Sequence, residues 1–186
     1  MSSLSSISSN VSESSEEQPA QFFLYTRPIN DPVLGHADNV EFQHWVLIAL
    51  FSDKSIRAIE GNEADGVLTP KFLKVWPLPN SHSGQYWSLI PLKISPKKLQ
   101  AVANDNRLNG TTYDLINNNC QHWVKVAAET ISSNLADSLD KYRTSDEVPI
   151  VEQAVLTTWA SSKATSSNVV SSLLGIAKAG WDAIEQ

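Results

Sequence analysis

Residues 41–51, EFQHWVLIALF, constrain this chain more than any other stretch. Eight of the eleven are apolar, and from Trp45 onward no polar residue interrupts them. A half-exposed strand alternates with period two, and an amphipathic helix repeats near every 3.6 residues. This run does neither. Its length and aromatic content predict a central strand buried on both faces. Set inside it is His44, whose ring needs a partner because burying an unpaired polar group is costly.

Other strand signals cluster before residue 95. Residues 21–27 (QFFLYTR) predict a first strand, and residues 55–60 (SIRAIE) a third, closed by Gly61-Asn62. Residues 71–78 and 86–94 predict two more, paired as a hairpin across 79–85. Ser95-Pro96 is a helix start, a cap followed by proline at the first helical position. The helix it opens, 96–104, carries Leu99, Val102 and Ala103 on one face. From Asn119 to about Arg143, Val124, Ala127, Ala128, Ile131, Leu135, Leu139 and Tyr142 keep a 3.6-residue stripe that predicts one long helix. The expected class is α+β: an antiparallel meander of about five strands packed on a long helix with Cys120 at its N-terminus.

The 186 residues are one domain's worth with two appendages. The first fifteen contain nine serines and no aromatic, so residues 1–18 are expected to be a disordered, serine-rich, acidic tail. The folded domain is expected over 19–147, and 148–186 as a helical extension with helices at 150–161 and 168–185. The second of these lines up Val169, Leu173, Leu174, Ala177, Trp181 and Ile184, a face for the domain, a protein partner or a peripheral membrane contact. Its one cation is Lys178, whereas helices that bind anionic surfaces are usually basic. Neither a signal peptide nor a membrane-spanning run is legible, which leads to an intracellular, cytoplasmic expectation.

A net charge of −6 and a pI near 5.1 argue against a phosphate-backbone binder, so no nucleic-acid partner is expected. One cysteine excludes an intramolecular disulfide and a multi-thiolate zinc site. No glycine-rich phosphate loop, HExxH or EF-hand loop is present, and neither a metal nor a cofactor is expected.

Asn118-Asn119-Cys120-Gln121-His122-Trp123-Val124 is the second informative stretch. Asparagine is a strong N-cap, so Cys120 is expected in the first turn of the long helix. There the unpaired backbone N–H groups and the positive end of the macrodipole favour negative charge on its sulfur. An imidazole in hydrogen-bond reach would complete a nucleophile, and His44 is the candidate. Taken alone, a cysteine is as readily a small buried hydrophobe, and His44 a core histidine bonded to a carbonyl. His122, two residues after Cys120, points about 200° around the helix from it and is expected to be structural. His36 and His82 read as solvated loop histidines.

Together, HWVLIAL and YDLINNNCQHWV resemble the circularly permuted papain-like superfamily. That group includes lecithin–retinol acyltransferase-like proteins, PPPDE desumoylating-type peptidases and the more distant NlpC-type peptidases. Asn119, Cys120, Gln121, His122 and Trp123 are similar to the NCEHF-like motif of the acyltransferase-like branch, and His44-Trp45 to its HWA-like strand. Tyr113-Asp114-Leu115 looks like the Tyr-x-Leu that precedes Asn-Cys in the PPPDE branch. The arrangement as a whole is nearest to uncharacterised fungal proteins with HWxL…NCQxWV motifs. The resemblance spans about residues 22–143, with His44 and Cys120 separated by 76 positions.

It implies a permuted papain-like fold, Cys120 as nucleophile, His44 as general base and then acid, and an acyl-enzyme intermediate on an acyl, lipid or peptide substrate. It also implies a third, polar residue on the following strand. The equivalent position there falls on Ala58 or Ile59; Glu60 is the nearest polar substitute, with strand alternation able to aim it away from His44. Specificity would lie in loops around 28–39 and 62–70. An isopeptidase-like peptidase and a non-catalytic interaction module that keeps the fold are the competing readings.

Overall fold

The computed structural model describes residues 12–28, 43–74, 76 and 85–144. Five strands, β1 (Gln18–Pro28), β2 (Gln43–Phe51), β3 (Ile56–Ala64), β4 (Val67–Leu73) and β5 (Gln85–Ile94), form one antiparallel sheet in the order β4-β3-β2-β1-β5. Three helices follow: α1 (Pro96–Asn104), α2 (Cys120–Ile131) and α3 (Ser133–Thr144). The chain is α+β.

The apolar run 41–51 is explained by burial on both faces of β2. Trp45, Leu47, Ala49 and Phe51 join the main core, where Leu99, Val102, Trp123, Val124, Leu135 and Leu139 arrive from the helices. The alternate residues Val46, Ile48 and Leu50 join a smaller core with Phe23, Tyr25, Trp76 and Tyr86. Tyr25 is packed edge-on by Trp76 at 5.0 Å, and the Trp76 indole donates to the Tyr86 hydroxyl at 3.1 Å. With both faces apolar, alternation has nothing to signal.

Strands β1 to β4 are a meander, but β4 and β5 do not form the expected hairpin. They lie at opposite edges, and β5 pairs with β1 instead, Leu24 opposite Trp87 and Tyr25 opposite Tyr86. Nor does Gly61-Asn62 close β3. The strand runs on to Ala64 and turns at Asp65-Gly66, both at positive φ (52° and 79°), before Val67 pairs with Ala64. Two residues at positive φ are the favoured hairpin turn because their twist matches that of the strands. The segment 62–70, expected to be a loop, is therefore mostly strand, and β4 begins before residue 71. Pro70 obscured it; a proline is tolerated here because β4 is an edge strand.

Helix α1 has the expected bounds, with the Ser95 hydroxyl accepting from Lys98 N–H at 3.1 Å. The long helix is two. Ser132 is extended (φ −167°, ψ 137°); its N–H closes α2 on Ala128 O at 2.8 Å, and its carbonyl accepts from Leu135 and Ala136 at the start of α3. The chain then folds back, bringing Lys125 Nζ to Asp140 Oδ1 at 2.8 Å. In one straight helix those residues would stand about 22 Å apart. The stripe survives the break because both helices lie on the same apolar face of the sheet.

The expected tail through residue 18 is too long. Glu13 is buried and paired with Arg57 Nε at 2.8 Å and Lys74 Nζ at 2.7 Å, while Ser14 O accepts from Lys97 N–H at 2.9 Å. Burial opposes the Glu13 charge, but these two cations hold its carboxyl below the usual range. Composition missed this because a single ion-paired carboxylate supplies what the serines lack. Glu13→Ala should cost about 1 kcal/mol through the two lost pairs. A lowered melting temperature is the expected result, and an unchanged one would show that the segment adds nothing to the fold. The helices expected at 150–161 and 168–185, the domain end at 147, the loop 28–39 from its second residue, His36 and His82 lie outside the described residues.

Candidate active site

His44 is the second residue of β2, opposite Arg27 of β1. On the other side, the β2–β3 ladder pairs Ile48 with Ala58 and Leu47 with Ile59. One further step sets Val46 opposite Glu60, so Glu60 is diagonal to His44 on the same face of the sheet. Alternation thus joins the two rather than separating them: His44 Nε2 lies 2.7 Å from Glu60 Oε2. Glu60 is thus the side chain of β3 that meets His44, while Ala58 and Ile59 are buried apolar core.

Cys120 is the first residue of α2. Asn119 caps the helix, its Oδ1 accepting from Gln121 N–H at 2.9 Å and His122 N–H at 3.2 Å. The cap is itself fixed, since Asn119 Nδ2 donates to Leu115 O at 2.7 Å. The preceding turn is closed by Asp114, whose Oδ1 accepts from Ile116 N–H at 3.0 Å and Asn117 N–H at 2.6 Å. His122 completes a capping box, with Nδ1 accepting from Asn119 N–H at 3.5 Å. It serves the helix start.

The two elements meet at the start of β2. Cys120 hydrogen-bonds His44 and faces Gln43 O at 3.9 Å. With Nε2 on Glu60, Nδ1 is the ring nitrogen left for the sulfur. Gln121 Nε2 donates to the same Gln43 carbonyl at 2.9 Å, and the Tyr142 hydroxyl donates to Gln43 Oε1 at 3.1 Å. Tyr142 also packs edge-on against Trp45, with ring centres 5.6 Å apart, so Trp45 is a core residue that locates the end of β2.

Burial works against a charge on His44, which is 8% exposed. Hydrogen bonds to Cys120 and Glu60, and the electrostatic pull of both groups, outweigh it and raise the imidazole to about 9. His44 is therefore protonated at neutral pH. Burial likewise opposes the Glu60 charge, and His44, Asn62 and Lys71 together keep that carboxyl below its usual range. Cys120 is 2% exposed, so the sulfur and its imidazolium meet in a nearly dry setting.

Four site residues carried no signal in the sequence: Gln43, Asn62, Lys71 and Tyr142. Lys71 reaches Glu60 across a strand pair, Asn62 reaches it along the face of β3, and Gln43 is met by Tyr142 from a helix whose direction was decided by the break at Ser132. Among the described residues, no group of three His, Cys, Asp or Glu side chains could hold a metal ion. No described helix is long and apolar enough to cross a membrane. The chain matches no protein-family model, no curated protein and no solved structure.

Proposed function

We propose that this chain is a cysteine-dependent acyl-transfer enzyme of permuted papain-like type, working through a Cys120–His44–Glu60 triad. The observation that carries the proposal is the hydrogen-bonded series from Cys120 at the start of α2, through His44, to Glu60 at 2.7 Å. Nucleophile, base and orienting carboxylate come from three separate elements, and a buried histidine with both ring nitrogens committed to acidic groups is expensive as mere packing.

The sulfur attacks the carbonyl carbon of an ester, thioester or amide, forming a C–S bond. His44 gives its proton to the leaving oxygen, sulfur or nitrogen as that bond breaks, which leaves an acyl-enzyme. Water or an acceptor nucleophile then loses a proton to His44, attacks the acyl carbon and releases Cys120. Asn119 occupies the amides of Gln121, His122 and Trp123, which leaves the Cys120 amide at the positive helix end to meet the oxyanion. With so little of Cys120 exposed, binding has to open the site locally at the sulfur.

The motifs tilt the substrate toward lipid or small acyl esters and thioesters rather than isopeptides. The test is mass-spectrometric labelling of the full chain by fluorophosphonate-free acyl electrophiles, fatty acyl thioesters and ubiquitin-like probes with C-terminal electrophiles. An adduct on Cys120 from the acyl reagents, reduced in His44→Ala, is expected. Capture by the ubiquitin-like probes alone would move the reading to an isopeptidase. Failure of every probe to modify Cys120 would leave an interaction module that keeps only the fold.

A further inference from the structure

The Glu60 carboxylate is held at both ends. Oε2 faces His44, and Oε1 accepts from Asn62 Nδ2 at 2.8 Å, with Lys71 Nζ at 3.7 Å from the same oxygen. Asn62 lies two residues beyond Glu60 on β3 and so on the same face. The two ends differ in kind: the Glu60 side chain is 7% exposed, whereas the Lys71 side chain is 55% exposed on the edge strand. Left with Lys71 alone, the carboxylate would be drawn outward toward a solvated cation. A neutral amide can satisfy Oε1 without competing for the charge that His44 needs.

We infer that Asn62 is a positioning residue, which holds the Glu60 carboxylate on His44, and that Lys71 opposes it by pulling charge away from the pair. The inference rests on the triad reading above and adds a fourth residue and a tuning charge to it. The groups acting on His44 and Glu60 come from every neighbouring element. Cys120 faces His44 from α2, Lys71 faces Glu60 from β4, Arg27 is the register partner on β1, and α3 brings Tyr142 to the adjoining Gln43. Of the three side chains on the Glu60 carboxylate, His44, Asn62 and Lys71, Asn62 alone has no ionisable group. Removing it and removing Lys71 should therefore have opposite signs. Loss of the amide loosens Glu60 and lowers the proton affinity of His44; loss of the ammonium strengthens the carboxylate's field at His44 and raises it.

The experiment is an NMR titration of histidine ring resonances in the full chain, with the His44 signal assigned by its loss in His44→Ala. It needs no substrate. Wild type should titrate near 9, Asn62→Ala and the strand-favouring Asn62→Val lower by roughly half a unit or more, and Lys71→Met higher than wild type. Asn62 variants that titrate with wild type would overturn the positioning role and leave the triad standing. A Lys71→Met shift in the same direction as the Asn62 variants would show that both merely loosen the strand pair, and would also overturn it. A wild-type His44 titrating at its ordinary 6.5 would remove the triad and this inference together.

Discussion

Replacing His44 by alanine is expected to lower acyl transfer by about 10²- to 10⁴-fold, the usual range for a positioned general acid–base. In the proposed reaction, the variant would lose the proton that the leaving group takes and the base that activates the acceptor. In the wild type, activity should hold through neutral pH and fall as pH rises through about 9, where the imidazolium is lost. Glu60→Gln removes one of the two groups that raise His44, so this fall should move to lower pH. A Glu60→Gln profile superimposable on wild type would mean that the 2.7 Å contact has no hold on His44. The same shift bears on stability. A histidine raised from 6.5 to about 9 on folding contributes stability that is complete below pH 6.5 and lost as pH rises through about 9.

Gly61→Ala should be strongly damaging to the domain. A Cβ at residue 61 would lie 2.4 Å from Trp123 Cγ and 2.8 Å from its Cβ and Cδ1. The indole has nowhere to go: it is fully buried, its Nε1–H donates to Asn109 Oδ1 at 2.7 Å, and Asn106 Nδ2 donates to the Trp123 carbonyl at 3.0 Å. Overpacking of this kind costs about 1–3 kcal/mol, several degrees of melting temperature for a domain of this size. The damage reaches the site as well. Gly61 follows Glu60, and Trp123 lies three residues after Cys120, so pushing α2 off β3 pulls the sulfur away from the imidazole. Both the melting temperature and the labelling of Cys120 should fall; a variant unchanged in both would show that α2 can shift on the sheet at no cost.

Where chemistry depends on neighbours along the chain, the residues were legible in order. Asn119, Cys120 and His122 are consecutive parts of one helix start, and capping is a local hydrogen-bond problem. Ser95-Pro96 opens α1 for the same reason. The run from Trp45 to Phe51 announced a strand buried on both faces because apolar burial is written into composition. His44 stood out against it for the same reason.

Where chemistry depends on pairing across space, the sequence was silent or misleading. Glu60 was the nearest polar substitute, with alternation able to aim it away from His44, until the β2–β3 register set it diagonally on the same face. Gly61 read as a strand end, although its missing side chain is what admits Trp123. The edge position of β4, the pairing of β5 with β1 and the reversal at Ser132 were likewise set by tertiary packing, and the reversal brought Tyr142 to Gln43. Periodicity and capping are encoded within a few residues, so the sequence alone determined the two motifs and most element types. Register, strand order and helix direction minimise the free energy of the whole packed chain, so only the tertiary structure decided that Cys120, His44 and Glu60 meet.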